Sequence, residues 1–195
     1  MTTPDPDNPD GQQTTKTYTN DPEDPSTVLP IDVPYIAGYT PTTPEEEGVV
    51  EPKDPKDLTK GYTFTPSDPA QPADVKYNAD SKNLNVVFVD QADPETLLKP
   101  TQNLSGVTDG DIDYTTVEKV IDGYVLLTDE TAGKTKFTVT DNGENLTLTY
   151  QKTAGGYVGK TPAGVDLTTP YVTDPKDPKA IQPIRINGAW LHAGH

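Results

Sequence analysis

Hydrophobic and polar positions fall into a regular order over one stretch of this chain, residues 75 to 152. Leu84, Val86 and Phe88 alternate with Asn85, Val87 and Val89. A period of two in β-branched and aromatic residues predicts a strand, central in its sheet because both faces are apolar. Asp90-Gln91-Ala92-Asp93-Pro94-Glu95 supplies turn chemistry before a second apolar run from Thr96 to Leu104, so the pair predicts a hairpin. Pro100 places the second strand at an edge or a bulge. Farther on, Val117, Val120 and Ile121 recur at spacings of three and four, which predicts a helix of about two turns. Asp113 or Thr115 can cap it, Thr115 and Glu118 form a capping box, and Gly123 closes it. Three more strands follow, at Tyr124–Leu127, Lys136–Val139 and Asn145–Tyr150, with Asp141-Asn142-Gly143 as the turn before the last. The order ββαβββ, or ββαββ with an extra short strand, predicts an α+β fold in which a small mixed sheet grips one short helix, a ubiquitin-like β-grasp module.

Outside that window the pattern disappears and proline takes over. Of 21 prolines, 14 lie in residues 1–74 and only 2 in 75–152, with 5 in 153–195. Because proline removes a ladder donor and fixes φ, the poor window marks the packed module. The expected organisation is a disordered Pro/Asp/Thr-rich linker at 1–32, a partly ordered proline-rich spacer at 33–74, the module at 75–152, and a second proline-rich linker at 153–195. Asp-Pro punctuates both flanks, from Asp5-Pro6 to Asp177-Pro178, and such steps bias a chain toward extended polyproline-II geometry. The flanks also echo each other. Pro34–Pro41 followed by Pro52-Lys53-Asp54-Pro55-Lys56 is matched by Gly156–Pro162 followed by Asp174-Pro175-Lys176-Asp177-Pro178-Lys179, which reads as one period of a tandem array.

Charge narrows the partners. Thirty-one acids against fifteen bases give a net charge of −16, which repels phosphate backbones and anionic lipid, so neither nucleic acid nor membrane insertion is expected. The absence of cysteine excludes a disulfide framework, a thiolate metal site and a thiol nucleophile. No apolar run is long enough to cross a membrane, and any export signal or wall anchor is expected outside these residues. Both histidines, His192 and His195, sit with the single Trp in a tail that reads as an added remnant.

The module resembles the MucBP (mucin-binding protein) repeats of Gram-positive surface adhesins. The resemblance is carried by Val75-Lys76-Tyr77-Asn78-Ala79-Asp80, Val86-Val87-Phe88-Val89-Asp90, Asp113-Tyr114-Thr115-Thr116 and Gly123-Tyr124-Val125-Leu126, with Val33–Pro41 similar to the segment that precedes such repeats. It departs from the family in a short stretch between the Asp-Tyr-Thr-Thr element and the Gly-Tyr strand, and in Leu97-Leu98-Lys99-Pro100. The resemblance implies a β-grasp fold and adhesion to host mucin glycoprotein or its glycans at a bacterial cell surface. It also implies no enzymatic activity and no cofactor, and a monomer working in a repeat array. The alternative is a purely structural stalk that projects a distal binding domain.

Candidate chemistry is sparse. Ala154–Thr161 fits a relaxed phosphate-loop pattern, yet Pro162 and Gly164 deny the helix that such a loop requires. Asp109, Asp111 and Asp113 alternate as in a calcium loop, but Tyr114 occupies the glycine position and Val120 the bidentate glutamate position, which leaves a weak surface metal site or a solvated turn. Asn103-Leu104-Ser105 and Asn145-Leu146-Thr147 are formal glycosylation acceptors with no meaning expected in a bacterial adhesin. Tyr77, Tyr114 and Tyr124 are the candidate ligand contacts, since flat rings stack on sugar faces, with core or capping packing as the competing role.

Overall fold

The computed structural model describes residues 2–5, 8–153, 155–160, 166–186 and 189–191. The chain forms two compact units, one comprising Met1–Ser81 with Val107–Asp109 and the other Lys82–Gly106 with Gly110–His195.

In the first unit, β1 (Thr2–Asp5) and β2 (Asn8–Thr15) pair antiparallel. They are followed by β3 (Ile31–Val33), β4 (Tyr39–Thr42), β5 (Gly48–Pro52), β6 (Tyr62–Pro66) and β7 (Lys76–Ala79). Strands β3, β6 and β5 form an antiparallel sheet in that order, and β4 pairs antiparallel with β7. Ile31, Val33, Tyr62, Phe64, Ala73 and Val75 make a buried cluster. Short strands tolerate prolines within or at their ends, and the Asp-Pro steps form corners. The carboxylates of Asp21, Asp24, Asp54 and Asp68 each accept the backbone N–H two residues on, at 2.8–3.0 Å. Proline presets φ at the middle position of each of these turns.

The second unit is built on a five-stranded sheet of β8 (Ser81–Asp90), β9 (Asp93–Leu97), β10 (Gln102–Val107), β11 (Tyr124–Asp129) and β12 (Asn142–Lys152). The order is β10-β8-β12-β11, with β9 also paired to β8. The hairpin expected after β8 is present, and the chain breaks around Pro100 between β9 and β10. Strand β12 runs parallel to β8, with Val86 beside Leu146 and Phe88 beside Leu148, and antiparallel to β11. One face carries the core: Leu84, Val86, Phe88, Leu104, Leu126, Leu148 and Tyr150, closed over by Ile112, Val117 and Phe137. After the sheet come β13 (Gly156–Lys160) and β14 (Asp166–Pro170), β15 (Thr173–Asp174) and β16 (Asp177–Ile181), and β17 (Ile184–Ile186) and β18 (Ala189–Leu191), three antiparallel pairs.

The expected α+β, helix-gripping fold is not what forms. The described residues are β-strands and loops, with one 3-10 turn at Leu58–Lys60, and the stretch from Asp113 to Gly123 is irregular. Two causes act together. Two turns rich in Thr, Val and Ile cannot nucleate a helix unaided. The local polar groups also find other partners: Asp113 Oδ1 accepts the N–H of Thr115, and Glu118 Oε1 accepts that of Val120. Carbonyls of Thr116, Glu118 and Lys119 accept from Gln102, Lys99 and the Tyr150 hydroxyl. Val117 and Ile121 still reach the core, which explains their helix-like spacing without a helix. The strand expected at Lys136–Val139 reduces to a single bridge from Lys136 to Asp111, although Phe137 is buried. The turn expected at Asp141–Gly143 lies earlier: Asp141 donates its N–H to the Thr138 carbonyl, and β12 begins at Asn142.

Candidate functional site

Away from the core, the sheet of the second unit presents a face with an unusual composition. Alternation along β8 turns Asn83, Asn85, Val87 and Val89 to this face, and the register with β12 sets Asn145, Thr147 and Thr149 beside the last three of them. From β10 come Asn103 and Ser105, the neighbours of buried Leu104. None of these side chains is charged, in a chain where 24% of residues are. The polar side chains of Asn103, Ser105 and Asn145 are exposed, whereas Val87 and Val89 are buried among their neighbours.

Across its middle runs a hydrogen-bonded ladder. Ser105 Oγ donates to Asn103 Oδ1 at 3.1 Å, and Asn103 Nδ2 donates to Asn85 Oδ1 at 3.1 Å. Asn85 Nδ2 in turn donates to the Gly143 carbonyl at 3.0 Å and to Asn145 Oδ1 at 3.4 Å. Asn103, Ser105 and Asn145 are exposed and Asn85 is half-buried. A carboxamide offers two donors and two acceptor lone pairs, so the ladder consumes only part of its capacity and leaves the remainder at the surface. The sequence holds the signal in three Asn-Leu-polar triplets, Asn83-Leu84-Asn85, Asn103-Leu104-Ser105 and Asn145-Leu146-Thr147. Two of them look like glycosylation acceptors. Only the strand order shows that they lie on adjacent strands.

The three candidate tyrosines are not brought together. Tyr77 belongs to the first unit, where its hydroxyl donates to the Pro34 carbonyl at 2.6 Å and burial pushes its pKa up to about 12. Tyr114 donates to the Lys134 carbonyl at 2.7 Å and packs on the core of the second unit, burial and the nearby Asp129 and Asp141 raising its pKa. Tyr124 packs on the same core at the start of β11, beside Lys152 of β12.

Nor do the three aspartates converge. Asp109 has φ 62 and accepts from the Tyr39 hydroxyl within the first unit, Asp111 pairs with Lys136 at 3.4 Å, and Asp113 closes its turn on Thr115. Among the described residues no group of three such side chains is placed to hold a metal ion. His192 and His195 lie outside the described residues, as does Thr161 of the phosphate-loop pattern, whose Gly156–Lys160 segment is a strand.

Each unit has an open depression. One of about 490 Å³ lies at the ends of β8 and β12 among Asp90, Gln91, Ala92, Gln151 and Lys152. The other, of about 350 Å³, is in the first unit among Thr42, Thr43, Pro44, Glu47, Asp74 and Lys76. Neither gathers an acid in an apolar pocket of the kind that acid–base hydrolysis of a sugar uses. Among the described residues no helix is long and apolar enough to cross a membrane.

Comparison with known families covers most of the second unit's sheet. Residues 82–152 match the family model of a mucin binding domain, MucBP_2, which bears out the MucBP resemblance over the five-stranded sheet and all of the amide ladder. The first unit lies almost wholly outside the match. No curated protein matches the chain.

Proposed function

We propose that this chain is a non-enzymatic adhesin repeat of a bacterial cell surface that binds host mucin glycoprotein. The observation that carries the reading is the coincidence of the matched mucin binding domain, residues 82–152, with an uncharged sheet face that exposes the polar side chains of Asn103, Ser105 and Asn145 beside buried Val87 and Val89. An extracellular setting accords with the cysteine-free composition and with adhesion as the role of the matched family. The functional module is residues 75–152, carried as a monomer in a tandem array whose other copies repeat the Tyr- and Asp-Pro-containing segments. A shallow face without an aromatic platform binds weakly per copy, and tethering several copies converts later contacts into intramolecular ones.

The test is immobilised mucin presented to the full chain in two forms, free in solution and displayed in many copies on beads. Retention of the beads, with at most weak retention of the free chain, is the expected result. Failure of the beads to bind removes the adhesin reading and leaves the stalk reading, in which the chain only projects another domain.

A further inference from the structure

We infer that the amide ladder Ser105-Asn103-Asn85-Asn145 is the ligand-contact surface of the module and that it takes neutral saccharides, sugars bearing hydroxyl and N-acetyl groups but no carboxylate or sulfate. This deepens the reading above and rests on it. Three observations on the page carry it.

First, the ladder lies on adjacent strands and its amides are aligned by one another. Each hydrogen bond fixes the plane of the next carboxamide, so the outward N–H and C=O groups are pre-oriented at the strand spacing of about 4.8 Å. Neighbouring hydroxyls of a pyranose ring and the amide of an N-acetyl substituent are donors and acceptors in one, and so match carboxamides that are also both.

Second, no positive charge stands in the ladder or at the alternate positions flanking it on β8, β10 and β12. An acidic sugar would find no partner for its anion, and would meet a chain of net charge −16. The charge pattern therefore selects against acidic termini, and discrimination comes from the repulsive element as much as from the attractive one.

Third, the ladder is not required to hold the sheet. Backbone pairing of β8 with β12 is continuous from Glu144 to Tyr150, and the main core lies on the opposite face; of the ladder only Asn85 has a structural duty, its amide meeting the Gly143 carbonyl where the register shifts. A row of exposed amides is thus available for contact without being the source of the fold.

Asn145→Asp separates the two roles. It keeps the Oδ1 that accepts from Asn85, replaces the outward N–H donors with an acceptor oxygen, and adds one negative charge. The experiment measures binding of bead-displayed full chain to immobilised neutral, sialylated and sulfated mucin-type oligosaccharides and to mucin before and after sialidase, for wild type, Asn145→Asp, Asn103→Ala and Ser105→Ala, each with a thermal midpoint. The wild type is expected to prefer the neutral sugars and the sialidase-treated mucin. Asn145→Asp and Asn103→Ala are expected to weaken neutral-sugar binding at least fivefold with an unchanged midpoint, and Ser105→Ala, at the ladder's end, to do so less. Mucin binding that all three variants retain overturns the ladder and leaves the adhesin reading standing. A preference for sialylated or sulfated sugars overturns the neutral class. Absence of any mucin or glycan binding by the wild type removes both.

Discussion

Tyr150 joins the sheet to the irregular layer that covers it. Its ring is fully buried beside Phe88, with centroids 6.4 Å apart, and its hydroxyl donates to the Lys119 carbonyl at 2.7 Å. Burial, with Asp129 and Glu118 nearby, raises its pKa, so it stays a donor across the physiological range. Tyr150→Phe strands a carbonyl and is expected to cost about 1–2 kcal/mol in urea unfolding. Phe137→Ala, which empties the other side of the core, is expected to cost about 3–5 kcal/mol. The same layer holds two half-buried ion pairs, Lys119 to Asp129 at 2.7 Å and Lys134 to Asp141 at 2.8 Å. Burial pushes both carboxyls up, but the donors around them, Lys119 and Thr131 for one and Lys134 and Thr138 for the other, outweigh it and hold each below the ordinary carboxylate range. A carboxyl that binds its proton less readily folded than unfolded contributes stability that is complete above the unfolded pKa of about 4 and is lost as pH falls through the folded value. Urea midpoints are therefore expected to be flat between about pH 5 and 7 and to fall in more acid solution. Lys119→Met should be most damaging at neutral pH, where it strands a buried carboxylate, and least damaging at a pH acid enough to protonate Asp129 in the folded protein. A loss that is equal at both pH values would show that the pair does not act this way.

At the scale of elements, what the sequence made legible were the strands whose alternation is local, β8, β11 and β12, and the hairpin into β9. What it hid were the features set by tertiary partners. Val117, Val120 and Ile121 carry helical spacing, yet side chains distant in sequence, Lys99, Gln102 and Tyr150, occupy the carbonyls that a helix would need. Far-UV circular dichroism should accordingly show a β spectrum without the helical minimum near 222 nm. The Asp-Pro steps were visible as residues but not as corners, because the turn depends on which N–H the carboxylate reaches. After the sheet, Asp174 and Asp177 make the same corner, each accepting the N–H two residues on at 2.9 Å. The hairpin of β15 and β16 that they shape lies against β11, with Thr173 buried and its hydroxyl donating to the Tyr124 carbonyl. The folded unit thus extends past the family match that ends at residue 152. Truncation after Lys152 strips that cover from the sheet edge and is expected to lower the thermal midpoint by about 4–8 °C, the effect of roughly 1 kcal/mol in a domain of this size. An unchanged midpoint would mean that the hairpin contributes nothing.

The charge of the whole molecule was the most legible property of all, and it works against the function proposed for it. A chain of net charge −16 approaching a mucin, itself a polyanion wherever its sugars are sialylated or sulfated, is repelled before any contact forms. The proposed contact, an amide ladder meeting hydroxyls, would carry no charge and have almost no dependence on salt. The two contributions separate by range. Repulsion acts over the Debye length, about 30 Å at 0.01 M and about 8 Å at 0.15 M ionic strength, whereas hydrogen bonding acts only at contact. Binding of the full chain to native mucin is therefore expected to strengthen several-fold as sodium chloride rises from about 0.01 to 0.15 M, the opposite of a protein that binds through lysine and arginine. Sialidase treatment of the mucin should flatten that rise, because it removes the anions and leaves the neutral rings. Binding that weakens as salt rises would instead mean that cationic side chains, and not the uncharged sheet face, make the contact.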